Sequence, residues 1–322
     1  MKDTNRHIEE WLFGILMALL LMTTVFPVHI ALHRWLNNYA VLVMLGYLVV
    51  GLVFFMLGRQ RLLFLAFLAC GVLSVYLKYR TNPQVQLPRA DYSAATFKVG
   101  HFNLSNLEST GAYEALLAHI HSTDFDLLSF QELTPYWKQR LEEDLKGDFP
   151  HLCVKPGVDL FGMGLYARHP FAQAYNYEVG GSPLIVCRMS TGPRSPLVHL
   201  VSVYNLPVLD QRSYQHLQEH LEGVAKFIDR LNGPIIVMGD FQVVSWSDEL
   251  LNFKTALQLK DSRRGYMPSF LNGSVRLWEV PVDHIFYTRD FECTHFEGLT
   301  DAEGAHLGVR GTYQLKDEQF GF

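Results

Sequence analysis

Four short apolar segments of this chain each carry a polar side chain at or near one end that can take part in acid–base or metal chemistry. The segments are Phe97–Asn103, Asp126–Glu132, Pro234–Gln242 and Val280–Phe286, and the polar residues are Asn103, Glu132, Asp240 and Asp283. One strand ending in Gly-Asp is as readily a turn, because Gly adopts unusual backbone angles and Asp hydrogen-bonds its own backbone. Four together predict one site, since α/β proteins place their chemistry at strand ends.

The order of these residues resembles that of the endonuclease/exonuclease/phosphatase superfamily, and in particular a bacterial membrane-anchored member. The similarity runs from about Phe97 to Leu315, and no single motif within it is decisive. The matching positions are Asn103, Gln131-Glu132, Gly164–Arg168, Gly239-Asp240-Phe241, Trp246-Ser247, Asp283-His284 and His306. The resemblance implies a four-layer α/β sandwich of two packed sheets that hydrolyses a phosphate ester with a metal ion.

The resemblance also implies a metal site and a base. Glu132 is expected to anchor Mg²⁺ or Mn²⁺, which prefer oxygen ligands, and the amide of Asn103 is expected to touch both the metal site and the phosphate. Asp240 resembles the residue that orients or deprotonates the attacking water. Glu132 is otherwise a surface carboxylate in a loop.

Charge stabilisation falls to a second group of residues. His306 resembles the histidine that stabilises the phosphoryl charge, and Asp283 resembles the carboxylate that fixes its tautomer. Tyr204 stands where many relatives carry His and is expected to donate to a phosphate oxygen; on strand pattern alone it is equally a residue at the edge of the core. His284, which alternates to the opposite face, is expected to be structural.

Two departures from the family pattern leave an alternative function open. Gln242 replaces the usual Asn after Gly-Asp, which moves the amide out by one methylene, and Ala305 replaces the Asp before His306. Small displacements in an organised site cost rate. The sequence therefore predicts either a metal-dependent phosphodiesterase or phosphatase, or a catalytically degenerate relative that acts as a membrane-tethered binding or assembly protein.

The amino-terminal quarter is apolar. The segments 11–28, 39–57 and 62–77 contain no Asp, Glu, Lys or Arg and approach the roughly 20 residues needed to span a bilayer, so we predict three transmembrane helices. A cleaved signal peptide is disfavoured, because no small-residue cleavage site follows the first segment. The predicted organisation is a membrane domain over 1–80, a linker over 81–95 and the superfamily domain over 96–322.

Charge gives expectations about location and partners. Arg59 and Arg61 lie in a tight turn, and basic turns favour the cytoplasmic side of a membrane. With that turn in the cytoplasm, three crossings of a bacterial inner membrane place the large domain outside the cytoplasm. Seven of the 27 basic and three of the 32 acidic residues lie in residues 1–80, so the remainder has a net charge of −9. This acidity disfavours non-specific nucleic-acid binding, whereas a lipid bilayer and a phosphate ester are the expected partners. No P-loop or dinucleotide fingerprint occurs, so no nucleotide cofactor is expected.

Hydrophobic periodicity gives the elements that must position these residues. Strands are predicted near 96–103, 126–131, 162–167, 183–188, 197–204, 234–239, 281–287 and 308–315, and helices near 111–121, 135–145, 210–231 and 247–255. Many strands with few amphipathic helices suit two sheets packed face to face with helices outside.

Overall fold

The structure is a computed structural model that describes residues 2–26, 31–82, 86–91, 95–107, 111–158, 160–191, 196–265 and 280–316. The chain divides into two compact units. The first is Met1–Pro83 with Trp246–Asp248 and Gly265–Met267, and the second is the rest. The predicted linker 81–95 lies partly outside the described residues, and the predicted domain limits stay predictions.

The first unit is helical. Its helices are α1 (Lys2–Val25), α2 (Ala31–Asn38), α3 (Ala40–Met56) and α4 (Gln60–Arg80). By length and composition, two stretches are able to cross a membrane, His7–Val25 within α1 and Gln60–Arg80. The prediction of three spans is thus corrected to two candidates among the described residues. Val28, the predicted end of the first span, lies outside them.

The helix α3 is apolar but shorter than predicted. Its 17 residues extend roughly 25 Å at 1.5 Å per residue, against a hydrocarbon core of about 30 Å. A Schellman turn ends it: the N–H of Gly58 donates to the carbonyl of Phe55, and the N–H of Arg59 donates to that of Phe54. Gly58 has φ 67°, a left-handed angle that favours glycine. The turn at Gly58 therefore sets the length of the helix.

The second unit contains two six-stranded sheets with helices. Its helices are α5 (Ala112–Ser122), α6 (Pro135–Leu145), α7 (Gln211–Ile228) and α8 (Asp248–Ala256). The strands are β1 (Thr96–Asn103), β2 (Leu127–Gln131), β3 (His151–Lys155), β4 (Met163–Ala167), β5 (Gln173–Val179), β6 (Ser182–Ser190), β7 (Leu197–Tyr204), β8 (Ile235–Asp240), β9 (Lys260–Asp261), β10 (Asp283–Tyr287), β11 (Phe291–Thr300) and β12 (His306–Leu315).

The two sheets share one plan. The first sheet has the order β11-β12-β1-β2-β4-β3 and the second the order β5-β6-β7-β8-β10-β9. Each has one central parallel pair, β1 with β2 and β7 with β8, and its other pairs are antiparallel. The helices α5 and α7 lie between the parallel strands in sequence, as a parallel crossover requires.

Three apolar clusters account for the layers. Alternate residues such as Val99, Leu127, Leu200 and Ile236 form the core between the two sheets. A second cluster packs α5 and α6 on the first sheet, and a third packs α7 and α8 on the second. Each central strand is buried on both faces and is therefore apolar almost throughout. The predicted α/β sandwich of two packed sheets is confirmed.

Candidate active site

The inter-sheet face of each central strand changes from apolar to polar at one common edge. Along β8, Ile236 and Met238 lie in the inter-sheet core, and Asp240 is the next residue on that face. The parallel strands β1, β2, β7 and β8 end at this edge, and the antiparallel strands β10 and β12 begin there. The residues at these six ends are Asn103, Gln131, Tyr204, Asp240, Asp283 and His306.

Four of the predicted site residues form one hydrogen-bonded cluster. The amide nitrogen of Asn103 lies 3.0 Å from Glu132 Oε1 and 3.2 Å from Asp240 Oδ2, so it bridges the two carboxylates. The hydroxyl of Tyr204 donates to the same Glu132 oxygen at 3.2 Å. Residues from four strand ends and both sheets are thereby brought together, and they include three of the four residues that the strand-end pattern named: Asn103, Glu132 and Asp240.

Tyr204 is held as a neutral donor. Its side chain is buried, and burial, followed by the charges of Glu132 and Asp240, raises the pKa of its hydroxyl well above the ordinary value. A tyrosinate beside two carboxylates is strongly disfavoured. The hydroxyl therefore keeps its proton and donates a hydrogen bond.

Gln131 bridges the two sheets behind this cluster. Its fully buried side chain donates to the carbonyl of Val203 at 2.5 Å and accepts from the N–H of Asp240 at 2.8 Å. A Cβ at Gly239 would lie 1.8 Å from the Val203 oxygen and 3.0 Å from the Gln131 amide nitrogen. Gly239 is therefore needed because this amide and β7 leave no room for a side chain.

Both oxygens of Asp240 are occupied by Gln242. The N–H of Gln242 donates to Oδ1 at 2.9 Å, and its side-chain amide donates to Oδ2 at 2.7 Å. Burial, and after it the neighbouring Asp283 carboxylate, raises the pKa of Asp240 to about 8, against the lowering effect of hydrogen bonds from Gln242 and Asn103. The longer amide at position 242 thus still reaches Asp240.

Backbone strain marks the same edge. Glu132 has φ 56° and Gln242 has φ 57°, and Gln258 is the third non-glycine residue with positive φ in the described part of the chain. Left-handed angles are costly for side chains of this type and cluster at functional sites. Two of the three therefore occur directly after the strands that carry the cluster.

Asp283 and His306 form a close pair beside the cluster. His306 Nε2 lies 2.5 Å from Asp283 Oδ2, and Asp283 lies opposite Asp240 in the β8–β10 register. Burial alone would raise the pKa of Asp283, but the hydrogen bonds and charges of His101 and His306 outweigh it and hold that pKa far below its usual range. Asp283 therefore stays ionised, whereas Asp240 holds a proton more readily.

The turn before His306 is held by Asp301. Its Oδ1 accepts from the N–H of Glu303 at 2.9 Å and from the N–H of Ala305 at 2.8 Å. Ala305 therefore contributes a backbone donor to this turn where the family pattern has a carboxylate. His284 lies on the other face of β10, where its Nε2 is 2.9 Å from the carbonyl of Val243, as expected for a structural residue.

The donor set fits a weakly held hard cation. Both hydrogen bonds that Glu132 accepts from described residues reach Oε1, which leaves Oε2 for a ligand. Asn103 turns its nitrogen, which cannot ligate, to Glu132, while its oxygen accepts from Ser105. Among the residues that the structure describes, no group of three His, Cys, Asp or Glu is placed to hold a metal. Glu132 is thus the residue whose free carboxylate oxygen would bind a metal ion, and a role for Asn103 in binding the metal stays a prediction.

Two site residues were not assigned a role from the sequence. Gln131 belongs to the family motif without a role implied for its side chain, and His101 shares a face of β1 with Asn103 without belonging to a motif. The available signal is a polar residue within or at the end of an apolar strand, because a buried polar group must find a partner. Position alone did not show which partner.

The fold and this edge define a class of protein: an α/β sandwich with carboxylates, an amide and a histidine at one end of its packed sheets. The sequence profile of the Endonuclease/Exonuclease/phosphatase family matches residues 95–306, and the chain belongs to that family. No curated protein is similar enough to count as a match.

Solved structures share the fold. An endonuclease/exonuclease/phosphatase from Beutenbergia cavernae is 15% identical with a TM-score of 0.55, covering 69% of this chain and 72% of that one. The human Nocturnin catalytic domain with bound sulfate is 13% identical with a TM-score of 0.55, covering 69% and 96%. A mannosyl-6-phosphatase of Bacteroides thetaiotaomicron is 16% identical with a TM-score of 0.53, covering 68% and 99%. At these identities the likeness is one of fold.

Proposed function

We propose that this protein is a metal-dependent phosphoric ester hydrolase, a phosphodiesterase or phosphatase, that acts at a membrane. The observation that carries the proposal is the convergence of Asn103, Glu132, Tyr204 and Asp240 in one cluster beside the Asp283–His306 pair. Hydrolysis of a phosphate ester needs a group that positions water and donors that stabilise the developing charge. The cluster and the pair offer both within one edge of the domain.

Asp240 is the proposed group that orients the attacking water. It is buried and held on both oxygens by Gln242, so its carboxylate has one orientation. Its raised pKa suits a group that accepts a proton near neutral pH. Asn103 donates its two amide protons to Glu132 and Asp240, and it is proposed to turn one of them to a phosphate oxygen when substrate binds.

His306 is the proposed charge stabiliser. Its hydrogen bond to the ionised Asp283 orients the imidazole, which is proposed to stabilise the charge on the phosphoryl oxygens as the ester bond breaks. Tyr204 keeps its proton and is proposed to donate to a non-bridging oxygen. Glu132 would hold Mg²⁺ or Mn²⁺ with Asn103 beside it, and the cation supplies charge neutralisation for the phosphate.

The degenerate alternative rests on Ala305 and Gln242. The contact of 2.7 Å from Gln242 to Asp240 favours the enzyme, because the substituted amide keeps the interaction that the shorter one would make. Ala305 leaves one carboxylate fewer at the turn before His306, which predicts weak metal affinity rather than a lost site. Mg²⁺ keeps several of its waters and also binds substrate phosphates, so a site with one carboxylate is compatible with activity.

Attachment to a membrane is part of the proposal. The two candidate spans support attachment to a membrane. A multi-pass anchor in a bacterial inner membrane with the large domain outside the cytoplasm is proposed on the apolar α3 as a third crossing and on the basic turn at Arg59 and Arg61. A tethered domain meets lipid head groups at high local concentration. A phospholipid or another surface phosphodiester is therefore the proposed substrate class, ahead of long nucleic acid.

The test is hydrolysis by the full chain purified in detergent. Bis-p-nitrophenyl phosphate, p-nitrophenyl phosphate, phospholipid vesicles, DNA and RNA are each offered with Mg²⁺ and with Mn²⁺. We expect metal-dependent turnover that Asp240→Asn and His306→Ala abolish and that Asp229→Asn, at the exposed end of α7, leaves unchanged. If the wild-type protein is folded but hydrolyses none of these substrates, the alternative function, a membrane-tethered binding or assembly protein, replaces the proposed one.

A further inference from the structure

A second histidine approaches the Asp283 carboxylate. His101 lies on β1, is fully buried and points into the inter-sheet core, two residues before Asn103. Its Nε2 lies 3.5 Å from Asp283 Oδ1, while the other carboxylate oxygen, Oδ2, lies 2.5 Å from His306. The carboxylate thus lies between two imidazoles from neighbouring strands, β1 and β12.

The other ring nitrogen of His101 contacts a pair of serine hydroxyls. Its Nδ1 lies 3.2 Å from Ser129 Oγ, which lies 3.1 Å from Ser202 Oγ. An ionised carboxylate only accepts, so a bond to Asp283 needs the proton on Nε2; Nδ1 then accepts from Ser129 Oγ, whose oxygen can accept from Ser202. That tautomer presents a donor to Asp283.

No other described group satisfies these two atoms. His101 Nε2 and Asp283 Oδ1 are both buried, and neither has a closer hydrogen-bond partner within the described residues. A buried polar group without a partner destabilises the fold, so both atoms gain if they meet at hydrogen-bond distance. The backbone of Asp283 is separately held, because Arg263 Nη2 donates to its carbonyl at 3.0 Å.

We propose that His101 is a positioning residue that holds Asp283 Oδ1, so that Oδ2 remains on His306. A carboxylate held on both oxygens does not rotate about its side-chain bond, and the imidazole that it supports keeps its angle toward a bound phosphate. The Ser129 hydroxyl can donate to Nδ1, as the tautomer with the proton on Nε2 requires. The effect on turnover rests on the proposed function, whereas the effect on the orientation of His306 does not.

Three substitutions at position 101 separate positioning from packing. His101→Gln keeps a donor near the position of imidazole Nε2, His101→Asn keeps only the shorter reach toward Ser129, and His101→Leu removes both contacts. His199→Gln is the matched control, since His199 is also buried on β7 but near the opposite end of the sheet, where it bonds the carbonyl of Asn232.

Two measurements use the full chain in detergent. The first is kcat and KM for bis-p-nitrophenyl phosphate with Mn²⁺. The second is the rate at which diethyl pyrocarbonate modifies His306, followed by mass spectrometry, with the half-exposed His295 in the same sample as internal reference. The reagent attacks a ring nitrogen, and the Asp283 carboxylate covers Nε2 of His306, so a looser bond to Asp283 uncovers that nitrogen. Melting curves show which variants are folded.

We expect the Leu and Asn variants to lose roughly ten- to a hundredfold in kcat with little change in KM, as for a small misplacement of a catalytic group. Both should modify His306 faster relative to His295, and Gln should behave as wild type in both measurements. The proposal is overturned if a folded Asn or Leu variant keeps the wild-type His306 rate, or if Gln fails as Asn does. An inactive wild type would count against the proposed function, and the modification rates would still decide the role of His101.

Discussion

Removing the side-chain amide of Gln131 should have two effects: it should lower the stability of the α/β sandwich, and it should displace Asp240. In Gln131→Met the N–H of Asp240 and the carbonyl of Val203 both lose a buried partner. Each lost partner costs about 1–3 kcal/mol, and the better burial of an apolar side chain offsets part of this, so we expect a net loss of about 2–4 kcal/mol. In a domain of this size, that lowers the melting temperature by roughly 5–15 °C.

Two further variants make the cause specific. Gln131→Glu keeps an acceptor for the N–H of Asp240 but turns an oxygen toward the Val203 carbonyl, so it should also destabilise. Gln139→Met makes the same change on the exposed face of α6, where Gln139 bonds only Glu143 among the described residues, and should stay within about 0.5 kcal/mol of wild type.

The assay is thermal unfolding of the full chain in detergent, followed by near-ultraviolet circular dichroism, with the hydrolysis rate measured at a temperature at which every variant is folded. A Gln131→Met protein that melts within about 2 °C of wild type would refute the bridging role. A destabilised variant with unchanged turnover would show that the bridge stabilises the fold without placing Asp240.

Substitutions of Glu132, Tyr204 and His284 test three other parts of the structure. Glu132→Gln should raise the Mn²⁺ concentration needed for half-maximal activity by about tenfold or more, because a neutral amide is a poorer ligand, and equal metal affinity in the two proteins would remove Glu132 from the metal site. Tyr204→Phe should lower turnover by roughly 3- to 30-fold while leaving the metal requirement unchanged, and a shifted metal requirement would instead make the hydroxyl part of that site. Burial lowers the pKa of His284 to about 4, so as the pH falls below about 6.5 this residue binds a proton in the unfolded chain before it does so in the folded protein. The free energy of unfolding should therefore fall by up to about 3 kcal/mol toward pH 4. His284→Asn should make the free energy of unfolding less dependent on pH in this range.

Sequence reasoning found the central strands and missed the edges. All eight predicted strands are present within about two residues of their predicted limits, and the four missed strands, β3, β5, β9 and β11, are the outermost strands of the two sheets. A central strand is buried on both faces and reads as an apolar run. An edge strand such as Gln173–Val179, which is almost wholly exposed, has no such pattern. The apolar run also predicts a longer helix α3 than the structure has, because the Schellman turn at Gly58 ends the helix.

The site residues were predictable as types and strand ends but not as contacts. Their family order gave Glu132, Asp240 and His306, whereas the bridging amide of Gln131 and the approach of His101 to Asp283 depend on how the second sheet lies on the first. That relation is set by the packing of the inter-sheet core, which no local pattern encodes.

The contacts that join the separate parts of the site cross from one sheet to the other. Asn103 reaches Asp240, Tyr204 reaches Glu132, Gln131 reaches the N–H of Asp240, and His101 and His306 both approach Asp283. A small shift between the sheets would therefore break all of these contacts at once, although either sheet alone would keep its strand order. The apolar inter-sheet core, with Met238 directly behind Asp240 on the same face, thus serves the site as well as the fold. The strained angles at Glu132 and Gln242 are tolerated because this packing holds the strands in place on both sides of them.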